Sequence, residues 1–314
     1  MNIAARKAQS KEREMRDINK TKTLVCACAL TLGVTTYANE ADKVEIIDQV
    51  SDQSSAIIST TEIDQSSIKS KPWSLANTLA LSTSAKETDA PTDYLVSSFS
   101  AAFTYKLTDS ISTQAVLAAS KQLKDEYEQA IDAAFVGVSF KLFSYRDTIK
   151  GSAKLRTYLP VNNDVVDTTS FRGRLYSNFA VTANLADLGY SFINISSGLT
   201  VAKNFHEFQF SNSNSFNTSH YSSLSLGASF EFADKYYVAI GGSMTTKWDY
   251  DNDLTGPSSY ALSQELGYAF AKGWSAAVSH EIGGSAYGYN GKDLEIDVFN
   301  KDNSSLSTNV QFVY

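Results

Sequence analysis

The sequence predicts an all-β fold: a single antiparallel transmembrane β-barrel of about twelve strands, preceded by a signal peptide and a short polar segment. Three observations predict this fold. The 314 residues include 17 tyrosines and 17 phenylalanines but only four prolines, a balance that favours strands. Apolar and polar residues alternate with the period of two that is typical of a strand. The connections between the predicted strands alternate between short and long.

The first 38 residues have the pattern of an export signal. RDINKTKT is basic, LVCACALTLGV is a short apolar core, and TTYANE offers small residues before a cut after Ala38. Met15 is a candidate for the true translation start, because the residues before it are unusually polar for a signal. Residues 39–71 are polar and serine-rich, so we expect a flexible segment or a short helix there. The barrel is expected over residues 72–314.

Charge and cysteine usage exclude several kinds of function. Cys26 and Cys28 both lie in the apolar core of the signal, so the mature chain would lack disulfides and thiol chemistry. Residues 1–38 hold 7 of the 27 basic and 3 of the 34 acidic residues, which leaves 20 basic and 31 acidic residues and a net charge of −11. Such a surface repels nucleic acid, and no nucleic-acid motif is present.

Two neighbouring predicted strands show the alternation most clearly. In IKGSAKLRTYL, residues 149–159, Lys150, Lys154 and Arg156 share one face and mostly apolar residues share the other. In FRGRLYSNFAVTANL, residues 171–185, Arg172 and Arg174 lie opposite a face of large apolar residues. This pattern predicts apolar faces toward lipid and polar faces toward a lumen.

The order of the connections indicates a membrane barrel rather than a soluble sandwich. The short connections are LTDS, SYRDT, ADLG, ADKY and FAKG, and a longer one separates each pair. A barrel in a membrane has tight turns at one end and loops at the other. Lipid offers no partner for open backbone groups, so the last strand must pair with the first. Trp73 and Trp274 fall at short-turn ends and Trp248 at a long-loop end, as interfacial girdles require. The twelve predicted strands lie near residues 73–83, 94–106, 110–121, 132–144, 147–160, 170–185, 189–204, 219–232, 235–248, 258–270, 273–284 and 304–314.

The C-terminal segment SLSTNVQFVY alternates up to a final aromatic residue. Leu306, Val310, Phe312 and Tyr314 share a face, with Thr308 as the weak position. In this pattern residues 72–314 resemble bacterial outer-membrane β-barrel proteins. The resemblance implies a place in the outer membrane with the C-terminus on the periplasmic side, in contact with membrane lipid and lipopolysaccharide. It also implies that Tyr314, Phe312 and Val310 form a signal for the barrel assembly machinery; the oligomeric state stays open.

Charged residues on the predicted inward faces are the candidate pore lining. Like charges this close repel by roughly 1 kcal/mol per pair in water-like surroundings, so we expect these groups to be accessible to water. The arrangement predicts a porin-like channel that passes small hydrophilic solutes and prefers anions. The alternative is a closed structural or adhesive barrel that acts through its loops. The basic candidates are Lys141, Lys150, Lys154, Arg156, Arg172 and Arg174, and the acidic ones on the far wall are Glu231, Glu265 and Glu281.

A further alternative is an enzyme on the outer surface of the barrel. SHYSS places His220 and Ser222 on one face of a strand, and some outer-membrane phospholipases use such a His-x-Ser pair. The Ser-Asn-Gly run of that family is missing, so we expect no enzymatic activity. DYDNDLTG resembles a calcium loop, but Leu254 stands where glycine is needed and Tyr260 where glutamate is needed. We expect no metal site and no cofactor.

Overall fold

The chain folds into one closed antiparallel barrel of twelve strands in a computed structural model. The structure describes residues 71–85, 94–123, 129–146, 148–232, 235–251, 259–286, 296 and 303–314. The expected signal peptide and all of the polar segment except Lys71 lie outside these ranges. The strands are β1 (Trp73–Ser84), β2 (Leu95–Lys106), β3 (Ile111–Gln122), β4 (Gln129–Tyr145), β5 (Ile149–Leu159), β6 (Phe171–Leu185), β7 (Tyr190–His206), β8 (Thr218–Phe232), β9 (Tyr236–Asp249), β10 (Ser259–Ala271), β11 (Trp274–Ser285) and β12 (Ser304–Val313).

The predicted fold class is confirmed. Each strand pairs with its neighbours in sequence, and β1 also pairs with β12 to close the ring. The observed strand ends differ from the predicted ones by no more than three residues, because a period of two holds over most of each strand. No helix within the described ranges is long and apolar enough to cross a membrane.

The two faces of the barrel differ sharply in polarity. Large apolar side chains are exposed on the outward face, as at Leu79 and Leu81 of β1 and Leu224 and Leu226 of β8. The inward face of β12 is instead polar and buried, with serine, asparagine and glutamine at alternate positions. An apolar outer belt around a polar interior is the pattern of a barrel solvated by lipid.

Tyr314 closes the barrel at the short-turn end. Its backbone N–H donates to the carbonyl oxygen of Leu75 at 2.9 Å, and the Leu75 N–H donates to the Tyr314 carbonyl oxygen at 3.1 Å. Lys71 Nζ donates to the Tyr314 hydroxyl at 2.9 Å and lies 4.0 Å from the ring centroid. The Trp73 ring packs 5.6 Å from the same ring. The final residue is therefore an integral part of the sheet.

A short helix, α1 (Asn163–Thr169), lies in the long connection between β5 and β6 and was not predicted from the sequence. The Asn162 side chain caps it by accepting from the Val165 N–H at 3.1 Å. The connection between β7 and β8 is tied to it, because the Asn212 N–H donates to the Thr168 carbonyl oxygen at 2.9 Å. Two long loops are thereby joined at the loop-side end of the barrel.

Candidate pore-lining site

Two arginines and four aromatic residues interleave on the inner wall of β4–β8, near the loop-side end. Strand pairing places Arg156 opposite Tyr176 and Tyr158 opposite Arg174, so cation and ring alternate in both directions along the wall. Period-two alternation turns all of them to the same face. We call this set the arginine–aromatic layer; its members are Phe135, Tyr158, Tyr176 and Tyr221 together with Arg156 and Arg174.

The rings of the layer surround the two guanidinium groups. The central carbon of the Arg156 guanidinium lies 4.4 Å from the Phe135 ring centroid and 5.4 Å from that of Tyr176. The same carbon of Arg174 lies 5.3 Å from the Tyr221 centroid and 5.4 Å from that of Tyr158. Cation–π contacts of this kind contribute about 2 kcal/mol when they are desolvated. Aromatic faces therefore replace part of the water that each cation loses.

The expectation of water-accessible charge is wrong for both arginines. Arg156 is 4% exposed and Arg174 is 2% exposed. Arg174 Nε donates to Asn204 Oδ1 at 2.6 Å. Arg156 Nη1 is buried and has no hydrogen-bond partner among the described residues. A buried charged donor without an acceptor is costly, so Arg156 depends on the surrounding rings to offset the loss of water.

Gly137 makes the position of Arg156 possible. It faces Arg156 on β4. A Cβ atom at residue 137 would lie 2.6 Å from the Leu155 carbonyl oxygen and 2.8 Å from Arg156 Cγ, both closer than van der Waals contact allows. The missing side chain lets the arginine stem lie against the wall and brings its guanidinium over Phe135. The sequence alone does not reveal this role, because it depends on pairing between strands.

Three of the other predicted basic residues lie on the inward face of β4 and β5. Lys150 and Lys154 alternate with outward residues along β5 and precede Arg156 on the same face. Lys141 pairs with Ser152 of that face and is exposed near the short-turn end. The basic side chains thus extend along the inner wall from the short-turn end to the arginine–aromatic layer.

Arg172 differs from the expectation that it lies inward beside Arg174. The pairing of β6 with β7 shifts by one residue between Phe171 and Gly173, which makes Arg172 the extra residue of a β-bulge. Its guanidinium forms an ion pair with Glu207, and both side chains are exposed. The bulge turns Phe171 inward instead, where its ring centroid lies 5.8 Å from the Arg174 guanidinium. Arg172 therefore belongs to the rim rather than to the inner wall.

The predicted acidic residues lie on the inward face of other strands. Glu265 of β10 is buried and accepts a hydrogen bond from the Tyr237 hydroxyl at 2.8 Å. Glu281 of β11 pairs with Ser263 of β10 and with a serine of β12. Glu231 of β8 accepts from the Asn194 side-chain amide at 3.4 Å. The structure does not bring these carboxylates into ion pairs with Arg156.

An inward basic residue on β9 and the aromatic members of the layer were not predicted as site residues. Lys247 of β9 pairs with Tyr221 and shares its inward face. Strict alternation in GGSMTTKWD would have revealed it, because Met244 and Trp248 mark the opposite face. No sequence pattern reveals the aromatic partners, because their contacts with the arginines depend on how neighbouring strands pair.

His220 and Ser222 share the outward face, as their spacing suggests, but His220 hydrogen-bonds to Ser219 rather than to Ser222 within the described residues. His220 Nδ1 lies 2.7 Å from Ser219 Oγ, and its ring stacks on Trp248 with centroids 5.0 Å apart. The described part of the chain holds no group of three His, Cys, Asp or Glu side chains placed to bind a metal ion.

Comparison with known proteins supports the fold and does not assign a family. No family model matches the chain, and no curated protein matches it. Among solved structures it is similar to an outer membrane channel from Pseudomonas putida F1, with 11% identity, a TM-score of 0.53, and coverage of 81% of this chain and 100% of that one. It also matches the NanC porin, with 9% identity, a TM-score of 0.49, and coverage of 76% of this chain and 98% of that one. The chain thus has a barrel fold that is also found in an outer membrane channel.

Proposed function

We propose that the protein is a narrow outer-membrane channel that passes small hydrophilic solutes and favours anions. The arginine–aromatic layer is its selective element. The observation that carries the proposal is the buried Arg156 guanidinium, whose Nη1 has no partner among the described residues. A fold that needed only a packed interior would gain by placing an apolar residue there.

The geometry of the layer suits an anion. When a guanidinium packs on the face of a ring, its N–H groups stay in the guanidinium plane and point away from the ring. A carboxylate or phosphate can accept two of them there. Lys150, Lys154, Arg156 and Arg174 follow one another along β5 and β6. A permeating anion therefore meets a cation at each step from the short-turn end to the layer, which is how rows of charge select ions in pores.

A closed barrel that acts through its loops is the second candidate. The near-complete burial of both arginines favours it, because a wide water-filled pore would leave them exposed. The hydrogen bonds that tie α1 to the connection between β7 and β8 favour it as well. The two candidates differ in one measurable property, which is whether solutes cross.

We assign no enzymatic activity to the outward face. Within the described ranges His220 Nδ1 hydrogen-bonds to Ser219, so this ring is not placed to activate Ser222. Replacement of Ser222 by alanine should leave any lipid hydrolysis in membranes at the level of the wild type. Hydrolysis that the S222A variant abolishes would restore the enzyme hypothesis.

The proposed orientation places the short turns and the C-terminus in the periplasm. Clustered aromatic side chains near the short turns support an interface there, with Trp274 and Phe312 at 4.5 Å and Tyr236 and Tyr268 at 4.6 Å between ring centroids. In this orientation Tyr314, Phe312 and Val310 form the outward row that the assembly machinery would read.

A solute-entry assay tests the proposal. The protein is reconstituted in liposomes, and swelling rates are compared in isosmotic solutions of glucose, sodium gluconate and lysine hydrochloride. We expect entry of all three, with gluconate faster than lysine. If the liposomes do not swell although the protein migrates on gels as a heat-modifiable folded form, the closed barrel is favoured.

A further inference from the structure

The outward face of the barrel carries few charged side chains, and they lie near the loop-side ends of their strands. Within the twelve described strands, alternation turns Lys121 of β3 and Lys203 of β7 outward. Both are basic, and both lie within three residues of the loop-side end of their strand. A cation on the lipid face is strongly destabilising at the bilayer midplane and much less so near the interface. Their position therefore indicates the level of the lipid head groups.

Lys203 is set among apolar groups. Val201 and Phe205, its outward neighbours on β7, are exposed, and so is Leu175, its partner on β6. On β8 its partner is His220, whose ring stacks on Trp248. A tryptophan at this level is typical of the membrane interface. A group that approaches Lys203 from this side comes from the membrane.

A hydrogen-bonded chain links Lys203 to His220. Lys203 Nζ donates to Ser219 Oγ at 3.3 Å, and Ser219 Oγ lies 2.7 Å from His220 Nδ1. The ammonium group has only donors, so the Ser219 hydroxyl accepts from it and has one proton left to give. With that proton directed at Nδ1, the ring presents an N–H group at Nε2, next to the donors of the ammonium group.

No anion in the described part of the chain satisfies these donors. Apart from Ser219, the contact of the ammonium group is with the Tyr250 ring, 5.2 Å from its centroid. Burial raises the pKa of the Tyr250 hydroxyl, so that residue stays neutral at physiological pH. Its hydroxyl donates to the Asn204 carbonyl oxygen at 3.1 Å. The site thus holds a cation and a second donor, with no negative charge of its own.

We propose that Lys203, Ser219 and His220 form an external binding site for a phosphate group of an outer-leaflet lipid. The inference rests on the outer-membrane location and orientation proposed above, which place the loop-side end in the outer leaflet. Phosphate supplies the negative charge and the acceptor oxygens that the two donors lack. The apolar side chains around Lys203 accept the acyl chains that come with a lipid and not with free phosphate.

Native mass spectrometry of the folded protein in detergent tests the site, with diphosphorylated lipid A as the probe. The K203M variant keeps the length of the side chain and removes its charge. The matched control is K235M, because Lys235 is exposed in the short turn at the opposite end of the barrel. H220F is a second variant, which removes the N–H donor and keeps a ring against Trp248. We expect K203M to reduce occupancy by the first lipid about tenfold, H220F to reduce it less, and K235M to leave it unchanged.

Three outcomes would overturn the proposal. In the first, K203M and K235M retain the same amount of lipid. In the second, K203M loses as much lipid A that lacks phosphates as it loses diphosphorylated lipid A. In the third, millimolar inorganic phosphate displaces the lipid from the wild-type protein. The last would identify a site for free phosphate. Swelling rates of K203M liposomes should equal those of the wild type, so a failed channel and a failed lipid site are distinguished.

Discussion

Replacing Arg156 by glutamine removes one positive charge from the arginine–aromatic layer and keeps a side chain of similar reach with amide donors. The guanidinium it replaces is buried against Phe135 and Tyr176. If the layer selects anions, this single change should lower the preference for anions without closing the barrel. Folding should survive, because the loss of cation–π contacts is offset by relief of a buried charge.

Coulomb's law gives the size of the effect for an anion that passes the wall about 5 Å from the Arg156 guanidinium. One unit charge about 5 Å from another is worth about 1 kcal/mol in water and about 3 kcal/mol at an effective dielectric constant of about 20. Even the lower value changes the barrier for an anion about fivefold.

The assay is the zero-current potential of the reconstituted protein across a planar bilayer with a tenfold gradient of potassium chloride. Wild type should show a potential of the sign that anion preference produces, and R156Q should move it toward zero. The shift should shrink at high salt, because the Debye length falls to about 3 Å at 1 M. R146Q serves as the control, since Arg146 is exposed in a short turn and stacks on Tyr145 instead of facing the lumen.

An unchanged zero-current potential in an R156Q protein that still conducts would refute the reasoning. It would mean that ions do not pass the inner wall of β5. An equal shift in R146Q would also refute it, because the effect would then come from charge in general rather than from the layer.

Three further predictions concern other parts of the barrel. Replacing Gly137 by valine should sharply lower the yield of heat-modifiable folded protein, because the first side-chain carbon alone would lie 2.6 Å from a carbonyl oxygen; a normal yield would contradict the packing described for the layer. Deleting Tyr314 removes two backbone hydrogen bonds to Leu75 and should reduce the folded form in outer membranes, whereas a normal amount would count against its role in closure and assembly. R172Q breaks the rim ion pair with Glu207 and should leave the zero-current potential within error of wild type, so a shift like that of R156Q would place Arg172 in the pore after all.

The strands were predictable because the signal that defines them is local. A period of two holds over most of each strand, and short turns separate the strands in pairs, so all twelve were predicted from the sequence. The helix α1 was not, because NDVVDTT is too short for a helical period to show. Its stability comes from the Asn162 cap and from hydrogen bonds to the following long loop.

The candidate site was only partly predictable, for a different physical reason. Alternation assigned Lys154, Arg156 and Arg174 to the inner wall, but it failed at Arg172, where a β-bulge inserts one residue. Bulges depend on pairing with the neighbouring strand, so a single strand does not reveal them. The burial of the arginines was also not predicted, since it depends on rings contributed by four strands, β4, β5, β6 and β8.

Single-channel recording of the refolded protein in a planar bilayer distinguishes a channel from a closed barrel. We expect discrete steps of small conductance, with a zero-current potential that indicates anion preference and that R156Q reduces. Silent bilayers with protein shown to be folded and inserted would contradict this expectation, and would identify the arginine–aromatic layer as the packed interior of a closed barrel.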